Sequence, residues 1–234
     1  MSFKGQTVIL TGAAGNLGQA VAAAFAARGA RLVLLARRDD ELQAVFGDAG
    51  PERLYLAADL LDAPQVAAAL TAALARFGRV DVLCNLAGGF RMGPAVHETL
   101  ESSWDALLDI NVRTLLTTAR VVVPHMLACG GGKIVNVGAF AAQKGAAGMG
   151  AYCAAKSSVI RLTESMSAEL REQNINVNCV LPTIIDTPEN RAAMPDADPA
   201  RWVAPKDLAS VIVYLASPAA RAIHGAAVPV TGLS

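Results

Sequence analysis

Thr7-Val8-Ile9-Leu10-Thr11-Gly12-Ala13-Ala14-Gly15-Asn16-Leu17-Gly18 runs from an apolar, strand-forming stretch straight into a glycine loop. That loop opens the helical pattern of Gln19 to Arg28, which closes at Gly29. Without side chains at 12, 15 and 18, backbone amides and the positive end of a helix can approach a pyrophosphate. Gly18 also lets helix and strand pack closely. A plain strand-to-helix turn needs one glycine; three at this spacing read as a dinucleotide cradle.

Outward from this loop the chain alternates short β-rich runs with longer Ala-rich helical ones. Strands are expected at Thr7 to Leu10, Arg31 to Leu35, Arg53 to Ala57, Val80 to Asn85, Lys133 to Val137, Ile175 to Leu181 and Ala226 to Val230. Helical spacing covers Gln19 to Arg28, Pro64 to Phe77, Glu101 to Leu127, Ala151 to Glu172 and Asp207 to Ala216. Such alternation implies βαβ units with right-handed crossovers. The expected fold is therefore α/β, a doubly wound Rossmann domain spanning residues 1–234 with a mostly parallel seven-stranded sheet flanked by helices. The long stretch Pro182 to Pro205 reads as irregular. It follows the carboxyl end of a strand, where open α/β sheets bind ligands, so it is assigned to the substrate; an ordered surface excursion is the other reading.

Of 234 residues 53% are hydrophobic, but Gly, Asn, Arg or Lys interrupt every apolar run before it reaches membrane-spanning length. The excess apolarity fits buried parallel strands. Lys plus Arg and Asp plus Glu both number 20, so no basic face stands out for nucleic acid. The N-terminus shows no signal-peptide pattern, and a cytoplasmic protein is expected. Cys84, Cys129, Cys153 and Cys179 lie far apart, and His97, His125 and His224 lack ligand-spaced partners, so no metal is expected.

The kind of dinucleotide is read just past the second strand. Ala36 stands where an acidic residue would bind the ribose of NAD, and Arg37 and Arg38 follow. Two guanidiniums and no acid favour NADP(H) over NAD(H). Asp39 and Asp40 leave NAD(H) open.

Tyr152 and Lys156 lie four residues apart, one helical turn on the same face. An ammonium beside a phenol should lower its pKa from about 10 and make it a usable general acid or base. Tyr and Lys at this spacing also occur on ordinary surface helices, so the pair gains meaning from its surroundings. Those surroundings resemble the short-chain dehydrogenase/reductase family over essentially the whole chain. Thr11, Gly12, Gly15, Asn16, Leu17 and Gly18 resemble its cofactor loop, and Asp59-Leu60 its adenine contact. Asn85-Leu86-Ala87-Gly88 resembles its motif after strand four, Asn111 its asparagine, and Tyr152-Cys153-Ala154-Ala155-Lys156 its active-site motif.

The resemblance implies a small-molecule oxidoreductase and a homo-oligomer, tetramer or dimer, built on the helices carrying Asn111 and Tyr152. It implies that Lys156 binds the nicotinamide ribose, Tyr152 passes the proton, and Asn111 supports a water relay through a local break in its helix. Pro182 and Thr187 fall on the cofactor side. Thr183, Met194 and Trp202 in the long loop, with Met149 before the tyrosine, fall on the substrate side.

Several positions depart from the family pattern. Asn16 replaces a glycine, Leu86 an asparagine, and Thr183 the glycine after Pro182. Ala139, thirteen residues before Tyr152, occupies the place of the family's serine. Losing that second donor to an oxyanion would cost on the order of 10²-fold to 10³-fold in carbonyl reduction. The segments Gly138 to Ala142, Gly148-Met149 and Asp186 to Asp198 look like the dihydropteridine reductase branch, which lacks the serine. A quinonoid or imine-like acceptor therefore stands beside an ordinary carbonyl or alcohol. The competing reading is a catalytically weak NADP-binding sensor or structural subunit.

Overall fold

The computed structural model describes residues 1–234. Its seven strands are β1 (Thr7–Thr11), β2 (Arg31–Ala36), β3 (Arg53–Ala57), β4 (Val82–Asn85), β5 (Gly132–Val137), β6 (Ile175–Pro182) and β7 (Ala227–Val230). All neighbours pair in parallel in the order β3-β2-β1-β4-β5-β6-β7. The chain winds outward from β1 to β3 and then crosses back to β4. A crevice therefore opens at the carboxyl ends of β1 and β4, where helices on opposite faces diverge.

The helices are α1 (Asn16–Ala26), α2 (Asp39–Phe46), α3 (Ala63–Phe77), α4 (Glu101–Leu108), α5 (Thr114–Ala128), α6 (Gly150–Leu170), α7 (Pro188–Ala193) and α8 (Pro205–Leu215). Strand residues alternate between two apolar layers. Val8, Leu10, Leu32 and Leu34 pack with Val21 and Phe25 of α1 and Leu208 and Ile212 of α8. Ile9, Val33, Leu35 and Leu83 pack with Val66 of α3, Leu115 of α5 and Val159 of α6. Alanine-rich helices allow this close approach, and β1 and β6 are buried at every position. Cys84, Cys153 and Cys179 are small buried residues, while Cys129 is exposed. No helix is long and apolar enough to cross a membrane.

Two helices depart from the sequence reading. The helix α2 begins with Asp39, Asp40 and Glu41, which suit a positive helix start. Its only fully buried residue is Leu42, so it carries too little apolar periodicity to be seen in the sequence. The stretch 182–205 is not irregular. It contains α7, a 3₁₀ turn at Pro199–Arg201 and a parallel bridge between Ile185 and Val203. Thr187 caps α7 by accepting the Asn190 amide at 3.2 Å, and Pro188 starts it.

The helical pattern of Glu101 to Leu127 contains a local break at Asn111, as the family resemblance implied. A π-helical turn at Asp109–Arg113 separates α4 from α5. The β4 strand starts later than expected, because Val80 and Asp81 anchor it from outside. Asp81 accepts the Thr7 amide at 2.8 Å and pairs with Arg79 at 2.6 Å, and the Val80 amide donates to His125 Nε2 at 3.1 Å.

Candidate active site

The glycine loop is shaped by contacts that admit no side chain. Gly12 has φ of 61°, and a Cβ there would lie 3.0 Å from the Ala87 backbone. A Cβ on Gly18 would lie 2.4 Å from the Gly12 oxygen and 2.5 Å from the Ala13 oxygen, which is impossible without moving backbone. The Thr11 hydroxyl accepts the Leu86 and Ala87 amides at 3.0 and 3.1 Å, which ties the loop after β1 to the one after β4. Gly15 caps α1 without a side-chain hydrogen bond, and the amides of Asn16, Leu17 and Gly18 find no acceptor within the chain. Unpaired amides at a positive helix end, beside a backbone too crowded for a Cβ, fit a dinucleotide pyrophosphate.

At the far end of the crevice, Arg37 is exposed and has no ion-pair partner. Arg38 is engaged otherwise: its Nε lies 2.9 Å from Asp40 and 3.5 Å from Glu41, and these carboxylates raise its pKa. Leu60 is buried, and Asp59 folds its carboxylate back onto the Leu61 amide at 2.9 Å.

Asn85 is only 6% exposed, and its side chain points inward. Its Oδ1 accepts the Thr118 hydroxyl at 2.7 Å and its Nδ2 donates to Asn136 Oδ1 at 2.9 Å. Asn136 in turn donates to the Thr163 hydroxyl at 2.9 Å. This chain of bonds joins β4, β5, α5 and α6 beneath the site. The Asn85 side chain is thus a positioning element, and only its backbone neighbours Ala87 and Gly88 reach the crevice.

The reactive groups converge on Gly88. A Cβ there would lie 2.9 Å from Asn111 Oδ1 and 3.0 Å from Lys156 Nζ. Asn111 sits in the π turn, accepts the Gly89 amide at 3.1 Å, and donates to the Gly89 and Leu107 carbonyls, both at 3.0 Å. Lys156 is buried and donates to the Val137 carbonyl at 2.8 Å. Desolvation lowers its pKa to about 8.

Tyr152 is half-buried, and its hydroxyl makes no hydrogen bond within the chain. Burial pushes its pKa up to about 12, the reverse of the sequence expectation. Desolvation of the phenolate is the larger cause, and the neighbouring Cys153 adds to it in the same direction.

Ala139 is 4% exposed, in extended backbone at the end of β5, and supplies no hydroxyl. The nearby candidates to replace it are committed elsewhere. Ser157 donates to the Ala142 carbonyl at 2.7 Å and Cys153 to the Ala141 carbonyl at 3.4 Å.

The long loop meets the site unevenly. Met149, three residues before Tyr152, and Met194, just past α7, are half-buried. Pro182 is buried at the end of β6, paired with Val230. Thr183 turns away, donating to the Thr231 carbonyl at 2.9 Å, and Trp202 is only 7% exposed. The Thr183 hydroxyl also lies 2.9 Å from the Ser234 hydroxyl, so its polar contacts run to the C-terminal residues.

Two contacts escaped the sequence reading. Asn16 Nδ2 donates to Glu189 Oε2 at 2.8 Å, which joins the cofactor loop to α7 across the crevice. Phe90 sets its ring edge-on to Tyr152, with centroids 4.9 Å apart at 90°. No sequence spacing signals either pair.

A family model described as short chain dehydrogenase matches residues 6–198. D-threitol dehydrogenase of Mycolicibacterium smegmatis is 34% identical over 97% of this chain and 92% of its own. Cis-4-hydroxycyclohexanecarboxylate dehydrogenase of Sinomonas cyclohexanicum is also 34% identical, over 99% of this chain and 97% of its own. A 3-ketoacyl-(acyl-carrier-protein) reductase from Brucella melitensis, solved in complex with NADH, superposes with a TM-score of 0.88 and 30% identity over 99% and 98% of the two chains.

Proposed function

The chain belongs to the short-chain dehydrogenase/reductase family of oxidoreductases, and from that premise we propose that it works between NADP(H) and a small organic substrate, with Tyr152 as its one side-chain acid or base. The observation that carries this is the free Tyr152 hydroxyl, one helical turn from a buried Lys156, on a side chain packed against the apolar cluster that holds Ala139 in place of a second donor. Nicotinamide, when bound, supplies or accepts a hydride. The chain does the rest. The amides of Asn16 to Gly18 and Thr187 hold the phosphate side, Asp59 and Leu60 the adenine side, and Lys156 the ribose beside Gly88. Tyr152 holds the proton that goes to the substrate heteroatom during reduction.

Arg37 supports NADP(H), because it is the unpaired guanidinium past β2, where a 2′-phosphate would sit. The solved NADH complex of a relative keeps NAD(H) as the alternative. The relatives' names span an open-chain polyol and a ring alcohol, so they do not choose the substrate. The dihydropteridine reductase branch is not shown by these relatives. A delocalised acceptor of the quinonoid or imine type is supported instead by Ala139, since it needs no second oxyanion donor. A non-catalytic sensor is disfavoured, because binding alone would not require the free Tyr152 hydroxyl. Exposed Leu116 and Leu127 on α5 support a homo-oligomer, and four unpaired thiols suit a reducing cytoplasm.

The test combines dinucleotide titration with turnover. Arg37→Ala should weaken NADPH about tenfold or more and leave NADH within about twofold. Equal losses would remove the phosphate role of Arg37. Tyr152→Phe should abolish turnover while retaining dinucleotide affinity, and retained turnover would sink the assignment. Ala139→Ser should raise reduction of simple open-chain ketones by about tenfold or more and leave a quinonoid dihydropterin little changed.

A further inference from the structure

The segment after β4 carries an unusual surface. Phe90 is 57% exposed, Met92 59% and Val96 62%, three large apolar side chains in seven residues. Leaving such area in water is unfavourable at roughly 25 cal/mol per Å², so a cluster of this kind beside a reactive group indicates a ligand surface.

The segment is seated firmly on the turn that opens α6. The Gly93 amide donates to the Gly148 carbonyl at 2.8 Å. A Cβ on Gly148, at φ of 70°, would lie 3.0 Å from the Met92 methyl, and one on Gly150 would lie 2.6 Å from Val96 Cγ2. The two glycines make the room that Met92 and Val96 occupy. The same turn leads to Tyr152 two residues later, so Phe90 is held against it in the edge-to-face geometry that aromatic pairs prefer. More than half of the Phe90 surface stays open beside the only free hydroxyl of the site.

The polar inventory is correspondingly short. Ala139 has no hydroxyl, and Ser157 and Cys153 donate to backbone carbonyls. A polyol entering here would give up water at several hydroxyls and find Tyr152 the one uncommitted hydroxyl beside Phe90. A flat ring loses little and gains an aromatic wall.

We propose that Phe90 is the specificity-determining wall of this site, and that the substrate is a flat, mostly apolar ring compound carrying one reducible C=O or C=N group. The proposal rests on the oxidoreductase reading above. The ring face lies on Phe90, and its heteroatom accepts from Tyr152. Tyr152 gives its proton to the heteroatom, the carbon would take the hydride that a bound reduced dinucleotide supplies, and the products would be the ring alcohol or amine and the oxidised dinucleotide. Tyr152 then regains a proton from solvent.

The experiment compares 1-tetralone and 3,4-dihydroisoquinoline with open-chain erythrulose, at saturating NADPH. The wild-type chain should prefer the ring compounds by about tenfold or more in kcat/KM. Phe90→Ala should raise KM for the rings about tenfold, leave kcat within about threefold and lower kcat/KM for the rings by about tenfold more than for erythrulose. Phe90→Tyr should restore the ring KM, and Phe90→Leu, which keeps apolar volume without a flat face, should behave like the alanine variant while melting like the wild type. Preference for erythrulose, equal losses on both substrate kinds, or ring compounds that are neither turned over nor competitive would each overturn the proposal. Fluorescence titration with NADPH and with NADH separates the two levels: a chain that binds neither dinucleotide fails the oxidoreductase reading, whereas one that binds either but ignores rings fails only this inference.

Discussion

Lys156 shows burial and chemistry pulling against each other at one residue. The residue is 4% exposed, and desolvation brings its pKa to about 8, against an ordinary value of 10.5. Between those values the unfolded chain holds a proton that the native chain lacks, so this group makes stability rise with pH across that window. Activity should move the other way, because the charged form assists Tyr152 and holds a ribose. We expect kcat/KM for reduction to fall as pH rises through about 8, without a tyrosine limb, since Tyr152 stays protonated up to about 12. A profile flat to pH 10 would show that Lys156 keeps its charge in the working enzyme. The spacing of Tyr152 and Lys156 was visible in the sequence, whereas the direction of the tyrosine shift was not. Desolvation depends on what packs above a side chain, and no local pattern reports that.

The element that decides the site is the π-helical turn between α4 and α5. An α-helix would send the 109–113 carbonyls to their usual partners. The extra residue instead turns Asn111 toward Gly89, where its amide group makes three backbone hydrogen bonds. Asn111 is 2% exposed, so Asn111→Ala would leave buried backbone groups without partners, at about 1–3 kcal/mol. The expected result is a lower melting temperature, together with faster amide exchange at Gly89. An unchanged melt would mean that water replaces the side chain at no penalty. Helical periodicity in Glu101 to Leu127 located this element without its interruption, whereas the family resemblance implied a local break at Asn111, where the π turn lies. The short α7 was hidden because it has no fully buried residue and therefore no stripe at all.

Over the whole molecule two hydrogen-bonded links join parts that are distant in sequence, and their burial sets their weight. The Thr118, Asn85, Asn136 and Thr163 chain is enclosed, with Asn136 at 0% exposed. Asn136→Leu would strand the Asn85 Nδ2 inside the protein and should destabilise the fold by about 1–3 kcal/mol, read from chemical denaturation. The Asn16 to Glu189 link is exposed, and Asn16→Ala should cost under about 1 kcal/mol. Its signature should be faster exchange confined to 187–193. A global loss from Asn16→Ala, or none from Asn136→Leu, would reverse this ranking.

A mostly parallel seven-stranded sheet, the dinucleotide loop and the Tyr152 and Lys156 pair were legible in the sequence alone. Each is written in local spacing: period-two and period-3.6 apolarity, glycines at 12, 15 and 18, and a four-residue step on one helix. Tertiary structure alone decided that Arg38 is neutralised by Asp40 and Glu41 while Arg37 stays free, that Trp202 is packed away, and that Phe90 stands against Tyr152. The last two depend on which residues the winding brings together through space, and Arg38 depends on how its side chain folds back onto the α2 start. Their free energies come from desolvation and contact, which no spacing along the chain encodes.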